Sequence, residues 1–239
     1  MTIDDRTRPE PHGHHHRDVS GGWLRPAVFG AMDGLVTNVS LISGVGGGGV
    51  SVHVIVLTGL AGLAAGAFSM ATGEYVSVTS QNELIYAEVA KERHELEHNA
   101  AAEQAELAGM LRQRGISAAT AKQAAAEISA FPDKALAVHA LEELGVNPND
   151  LPSPYVAAGA SFLSFSAGAV VPLLPYLFGL HLLWVALLLA AATAVVGGGL
   201  VTRLTGRPFW KGAVRQVVLG GAAAGITYLI GLAVGHVAS

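Results

Sequence analysis

VHVIVLTGLAGLAAGAFSMATGEYVSVT, residues 52–79, is an apolar run long enough to cross a membrane as a helix. It leads towards a strongly charged stretch, KERHELEHNAAAEQAEL, at residues 91–107. Because neither Gly nor Pro separates the two stretches, we predict that the membrane helix continues into the charged one and ends near Gly115. One helix would then join a membrane-embedded part to a water-exposed part.

Four other stretches share the apolar character of residues 52–79. They are residues 24–46, 155–177, 181–202 and 213–237. The whole chain of 239 residues is 51% hydrophobic and only 13% charged, about half the charge fraction of a soluble domain. The sequence therefore predicts an all-α membrane protein with five transmembrane helices, and a multi-pass protein partnered by the lipid bilayer.

The positions of the cations predict an orientation. All 14 Lys and Arg residues precede the first span, separate the second from the third, or connect the fourth to the fifth. With five spans, these three groups lie on one side, which the positive-inside rule assigns to the cytoplasm. We therefore expect a flexible cytoplasmic tail at 1–22, spans at 23–80 and 154–239, a cytoplasmic insert at 81–153, and a C-terminus outside the cell membrane.

Composition also excludes some functions. The net charge of −4 argues against nucleic-acid binding, which favours a basic surface. The absence of Cys excludes disulfides, thiolate metal sites and Cys nucleophiles. Any metal ligands must therefore be Glu, Asp, His, Met or backbone oxygen. The run HGHHH at residues 12–16 either binds metal or belongs to the flexible tail.

The insert is predicted to contain three helices. The first continues the second span. Ser117 can cap a second helix that runs to about Ala130, and Pro132 can open a third that Gly145 ends. Because such a domain is small, we expect it to need a second copy of the chain or bound ions for full stability.

Four carboxylates make the charged stretch unusual. Glu92, Glu95, Glu103 and Glu106 fall within an arc of about 80° on one helix face, at about 100° per residue. They also extend over about 21 Å, so one ion cannot contact all four on a straight helix. The pattern suits two or more ions, or a helix that breaks near Asn99. The alternative is a solvated charged face, but only two cations lie nearby and like charges repel at these spacings.

The third helix of the insert offers a nitrogen ligand. His139 and Glu143 are four residues apart and share a face, with Glu142 as a further candidate. Packed against the carboxylates, they would form a mixed oxygen and nitrogen site that suits Fe(II), Mn(II) or Zn(II). His94 and His98 flank the carboxylates and are interpreted as surface residues or as supporting donors.

Two acidic residues are predicted to lie within the membrane. Asp33 is in the first span, and Glu74 is in the second, four residues after Met70. A charge in lipid costs several kcal/mol, so such residues line a pathway or pair with a partner. We predict that Asp33, Met70 and Glu74 meet across the first two helices as ion ligands. The alternatives are a hydrogen-bonded packing pair for the acids and simple packing for Met70.

These segments resemble a known family. DGLVTNVSLISGV in the first span, GAFSMATGEYVSVTSQNE leaving the second, the Glu-rich helix, and HALEELGV resemble the vacuolar iron transporter family, including its nodulin-like and bacterial members. The resemblance extends over nearly the whole chain after about residue 20 and implies a homodimer that exports Fe(II) and related divalent ions in exchange for protons. Asp33 and Met70 match the family's transport-site positions, and Glu74 matches a bacterial-type variant. The family's cytoplasmic carboxylates match Glu92, Glu95, Glu103, Glu106 and Glu143.

One departure from the family concerns the metal. Some members carry paired Met residues on the third helix of the insert, where this chain has His139 and Ala140. The exchange removes soft sulfur ligands and favours harder, oxygen-rich coordination.

The expected function is therefore transport of Fe(II), with Mn(II) as a second ion, by proton antiport. The expected ions are substrates or bound ions, with no prosthetic group, and the protein is not expected to be an enzyme. Two alternatives stay open: a membrane-anchored ferroxidase based on the Glu-x-x-His pair Glu95 and His98, and a metal sensor without transport.

Overall fold

The computed structural model describes residues 22–238, and every regular element in this range is a helix. The tail and its HGHHH run, at 1–21, lie outside the described residues. Nine α-helices follow one another: α1 Leu24–Gly47, α2 Val52–His98, α3 Ala100–Gln113, α4 Ala118–Ser129, α5 Pro132–His139, α6 Pro154–Val170, α7 Leu174–Leu177, α8 Leu183–Leu204 and α9 Phe209–Ala238. A π-helical turn, Ala140–Leu144, extends α5, and a 3₁₀ turn, Val171–Leu173, joins α6 to α7.

Five helical segments in this range are long and apolar enough to cross a membrane. They are Leu24–Gly47, Val52–His98, Pro154–Leu177, Leu183–Arg203 and Phe209–Val237. The prediction of an all-α membrane protein with five spans is confirmed. Pro172 and Pro175 interrupt the third span, where the 3₁₀ turn replaces regular α-helix.

Helix α2 is much longer than a bilayer requires. Its 47 residues extend over about 70 Å, whereas the hydrocarbon core is about 30 Å thick. When its apolar first half spans the membrane, the charged second half extends beyond the bilayer surface. Helices α3 and α5 pack against this extension, and α4 packs against α3 and α5. Together they form the extramembrane unit, defined here as residues 81–153.

The membrane bundle is organised around α1, which contacts α2, α6, α8 and α9. Helix α1 approaches α6 closely, where Gly34 faces the backbone of Phe165 and Gly168 faces the backbone of Ala31. A Cβ atom at either glycine would meet backbone atoms of the other helix. Small residues at such crossings allow the close packing that holds membrane helices together.

One sequence prediction about a helix end is wrong: the second span does not continue unbroken to Gly115, because the helix ends at His98. At the other end of the span, part of the glycine-rich run is helical, because α1 continues to Gly47 and the amide of Gly48 still donates to the carbonyl of Gly44. The reason is packing: Gly44 and Gly47 contact α9, at Thr227 and Tyr228.

The extramembrane unit has a small apolar core. Val89 of α2 packs with Leu136 and Ala140, and Leu107 is fully buried on α3. The predicted caps are present: Ser117 accepts a hydrogen bond from the amide of Thr120 at 3.3 Å. Gly145, with φ of 67°, ends the π-helical turn in a left-handed conformation that favours glycine.

Candidate metal site

The break at Asn99 places the charged residues. Its backbone amide donates to the carbonyl of Glu95 at 2.7 Å, and its own carbonyl accepts from Ala102 at 2.8 Å. The chain thereby leaves α2 and starts α3 at Ala100 with a non-helical residue between them. The alternative of a helix broken near Asn99 is what the structure contains, and it allows Glu103 to reach the same site as Glu92.

Four side chains form the metal cluster, defined here as Glu92, Glu103, His139 and Glu143. One ligand atom from each lies within 4.8 Å of the others. The ring atom Nδ1 of His139 is 2.9 Å from Glu92 Oε1, 3.2 Å from Glu143 Oε1 and 3.7 Å from Glu103 Oε2. Residues from α2, α3 and the end of α5 thus converge on one imidazole nitrogen.

The hydrogen bonds of this cluster are incomplete. Nδ1 of His139 donates one proton at most, and it is hydrogen-bonded to Glu143. Glu92 Oε1 is buried and close to Nδ1 but forms no hydrogen bond within the described residues, and neither does His139 Nε2. His139 is fully buried and Glu103 is 8% exposed. Since buried polar groups normally have partners, the orphaned Glu92 Oε1 beside Nδ1 is an atom that a bound cation would satisfy.

The spacing of the ligand atoms fits a single cation. Atoms bound at about 2.1 Å from one metal lie about 3.0 Å apart in octahedral geometry and about 3.4 Å apart in tetrahedral geometry. The three distances from Nδ1 to carboxylate oxygens, 2.9, 3.2 and 3.7 Å, bracket these values. Carboxylate oxygens with one imidazole form a hard, mixed set that suits Fe(II), Mn(II) and Zn(II).

Electrostatics also favour a cation. Burial raises the pKa of Glu103, the nearby carboxylate of Glu106 raises it further, and His139 opposes the rise. No Lys or Arg within residues 22–238 forms an ion pair with a carboxylate of the cluster. The side chain of Arg114 is instead paired with Glu142, which lies outside the cluster, at 2.8 Å. A divalent ion would remove most of the repulsion among the carboxylates.

Some predicted ligands lie outside this cluster. Glu95 and Glu106 are exposed, and Glu95 accepts a hydrogen bond from Asn99 Nδ2 at 2.5 Å. Glu142 is held by Arg114. His98 is exposed and its Nδ1 contacts the carbonyl of His94 at 2.8 Å, so the Glu-x-x-His pair does not join the cluster.

The predicted membrane ligands form no direct bond with one another among residues 22–238. Asp33, Met70 and Glu74 are all half-buried, on α1 and on the membrane half of α2. Met70 packs beside Phe165 and Ala169 of α6. Within the described residues, neither Met70 nor Glu74 forms a hydrogen bond or ion pair with Asp33. Their joint role as ligands therefore stays a prediction.

Sequence reasoning missed two local features. The first is the pair formed by Arg114 and Glu142, which are far apart in sequence and meet only when α3 packs near the π-helical turn. The second is the role of Asn99, whose side chain holds Glu95 away from the cluster. The favourable position of Asn at helix ends was the available signal for this residue.

The described residues define a helical membrane protein with a candidate cation site beside the membrane. The model of the VIT family matches residues 24–232, so the chain belongs to that family. It is 38% identical over 168 residues to the "Vacuolar iron transporter" of Acanthamoeba castellanii, which covers 70% of this chain and 60% of the relative. It is also 34% identical over 209 residues to "Vacuolar iron transporter homolog 1" of Arabidopsis thaliana, covering 86% of this chain and 80% of the relative. It is 34% identical to "Vacuolar iron transporter homolog 5" of Oryza sativa subsp. japonica, and this match covers 86% of this chain and 77% of the relative.

The resemblance inferred from the sequence motifs is confirmed by these matches. The relatives are named as transporters, and transporters are not enzymes, so the expectation that this protein is not an enzyme is also confirmed.

Proposed function

We propose that the protein transports Fe(II), and also Mn(II), out of the cytoplasm in exchange for protons. The observation that carries the proposal is the metal cluster of Glu92, Glu103, His139 and Glu143, because it is attached to the same helix that carries Glu74 and Met70 in the membrane. Membership of the VIT family and the names of its relatives support metal ion transport.

The metal cluster collects the ion. Its oxygen-rich set with one imidazole binds a divalent cation that has lost part of its water shell. Nothing softer than imidazole takes part, so Fe(II), Mn(II) and Zn(II) are preferred to Cu(I).

The membrane residues carry the ion across. Asp33 and Glu74 replace part of the hydration shell, and Met70 adds a polarisable sulfur beside them. An ionised carboxylate at the bilayer centre costs about 2.5–3.5 kcal/mol on insertion scales, so a bound dication or proton lowers its cost. Since each carboxylate binds a metal ion or a proton, protons entering from outside displace the ion.

A homodimer would complete the membrane site. In one chain Asp33, Met70 and Glu74 are half-buried and not joined to one another. A second copy placed against α1 and α2 would double the number of ligands along the pathway. The positive-inside rule supports a cytoplasmic extramembrane unit and a C-terminus on the other side of the cell membrane.

The test is ion flux in reconstituted vesicles with an imposed pH gradient. We expect Fe(II) and Mn(II) uptake that depends on the gradient and is accompanied by proton movement in the opposite direction. Asp33→Asn and Glu74→Gln should each abolish flux, while the control Glu83→Gln, an exposed glutamate further along α2, should retain it.

Two results would contradict the proposal. Flux that is unchanged in both membrane variants would show that the ion takes another route. Metal binding without any flux in the wild type would favour the metal sensor instead.

A further inference from the structure

One edge of the membrane bundle carries positive charge that has no counterion among residues 22–238. Five cations lie where α1 begins and where α8 and α9 meet: Arg25, Arg203, Arg207, Lys211 and Arg215. None of them forms an ion pair within residues 22–238. The sequence contains no Asp or Glu after Asp150, so the last two spans cannot supply a partner.

Two of these cations line one pocket. Arg25 of α1 and Arg215 of α9 both border a cavity of about 450 Å³, together with Met32, Val201 and Gln216. The remaining lining is mainly apolar. Arginine presents a planar fork of donors that matches the geometry of a phosphate group. The pocket therefore offers an anion site at the membrane surface.

The headgroup pocket, as we name this cavity, adjoins an apolar groove. The groove, of about 840 Å³, lies between α1, α8 and α9, and Gln216 borders both cavities. Along α9 its lining extends from Gln216 to Tyr228, which is about 18 Å at the helical rise. One leaflet of the hydrocarbon core is about 15 Å thick, so the groove has the length of an acyl chain in that leaflet.

We propose that the headgroup pocket binds the phosphate of an anionic phospholipid, whose acyl chain occupies the groove between α1, α8 and α9. A soluble phosphate would satisfy the arginines but leave the groove unfilled, whereas a phospholipid fits both cavities at once. The cations lie on the side that the positive-inside rule assigns to the cytoplasm, where the leaflet is rich in anionic lipid. This site is separate from the metal cluster and from Asp33 and Glu74, so it goes beyond the proposed transport function.

The first experiment needs no variant. Full-length protein is stripped of lipid in detergent, and its thermal unfolding is followed with phosphatidylglycerol, phosphatidylcholine or glycerol 3-phosphate at equal concentration. We expect phosphatidylglycerol to raise the Tm more than phosphatidylcholine does, and glycerol 3-phosphate to have no effect. Equal protection by the two lipids, or full protection by glycerol 3-phosphate, would overturn the proposal.

Paired charge variants locate the headgroup. Arg25→Gln with Arg215→Gln should remove the excess protection by phosphatidylglycerol. The matched control, Arg207→Gln with Lys211→Gln, removes the same charge from the same edge but does not alter the pocket lining, and should retain most of the excess. Equal loss in both pairs would show diffuse attraction to a basic surface and would overturn the site.

Filling the groove tests the acyl chain. Gly221 and Gly225 line the groove, and a Cβ atom on either meets no other atom within 4 Å, so Gly221→Leu with Gly225→Leu should fold. We expect native mass spectrometry to detect at least tenfold less bound phosphatidylglycerol. The control Gly159→Leu, on α6 and equally unobstructed, should keep it.

Two other occupants are distinguished by the same experiments. If the groove variant dissociates the protein into monomers and leaves lipid binding unchanged, the groove is an interface between copies. If phosphatidylglycerol gives excess protection only after residues 1–21 are deleted, the four acidic residues of that segment compete with the lipid for Arg25 and Arg215. Either result would overturn the proposal.

Discussion

The membrane bundle and the extramembrane unit are stabilised by different interactions. In the bundle, helices touch backbone to backbone at Gly34 and Gly168, and the buried polar side chains are uncharged. In the extramembrane unit, the apolar core is small and sits beside a fully buried histidine that faces three carboxylates. The helix packing of the bundle therefore does not depend on buried charge, whereas the extramembrane unit contains buried charge that a cation would neutralise.

The largest effect on stability is expected from a substitution in the bundle. Gly168→Ala places a Cβ atom against the carbonyl of Ala31 and the amide of Leu35, both of which are backbone atoms that cannot rotate away. We expect a loss of about 3 kcal/mol of stability or more, at the top of the range for overpacking. The measurement is thermal unfolding in detergent. Gly159→Ala, nine positions earlier on the same helix, meets no atom within 4 Å and should be neutral or stabilising. Equal Tm values for the two variants would contradict backbone contact.

The next effect concerns the metal cluster. Mn(II) should protect backbone amides of α3 and α5 from hydrogen exchange and leave those of α8 and α9 unchanged. His139→Ala should weaken Mn(II) binding by on the order of 10–100-fold, because even residues that only support metal ligands have effects of that size. Isothermal titration calorimetry checks the affinity.

His94→Ala serves as the control, since His94 is exposed and outside the cluster. If Mn(II) protected the backbone amides of the bundle from hydrogen exchange as much as those of the extramembrane unit, the difference inferred between the two regions would be contradicted.

A smaller effect is expected from pH. Because burial raises the pKa of Glu103, this carboxyl binds its proton more tightly in the folded state than in the unfolded state. Its contribution to stability is complete below the unfolded pKa and is lost as the pH rises through the folded pKa. The metal-free unit should therefore gain stability on mild acidification, while the affinity for Mn(II) falls because protons compete for the same oxygen atoms.

Thermal unfolding and Mn(II) titration between pH 7.5 and 5 separate the two trends. Glu103→Gln should reduce the gain in metal-free stability on acidification, and Glu88→Gln, which is outside the cluster, should not. A metal-free stability that falls on acidification by the same amount in both variants would contradict the role given to burial.

The smallest effect is expected at the surface of the extramembrane unit. Arg114→Gln removes the partner of Glu142, but the Arg114 side chain is 63% exposed. Solvent screening limits such pairs to about 0.2–1 kcal/mol. Lys91→Gln, which breaks an exposed pair with Glu88, is the matched comparison in the same Tm measurement. A loss well above 1 kcal/mol would show that Glu142 belongs to the cluster after all.

Most of the membrane part could be predicted from the sequence, because long apolar runs without charge indicate helices that cross a bilayer. The sequence also contained the ligand types and the shared face of His139 and Glu143. It did not determine which glutamates converge. On a continuous helix Glu92 and Glu103 lie about 16 Å apart, and only the non-helical residue Asn99 brings them into one cluster. Tertiary packing of α5 against α2 then selects these two in preference to Glu95 and Glu106.

The unbroken course of α2 has a mechanical consequence. Between Glu74 and Glu92 it contains neither Gly nor Pro, the residues at which helices usually bend. The eighteen helical steps from Glu74 to Glu92 therefore form a stiff rod of about 27 Å. A tilt imposed at Glu92 would therefore reach Glu74 with little loss to bending, so that the two ends of the rod move together.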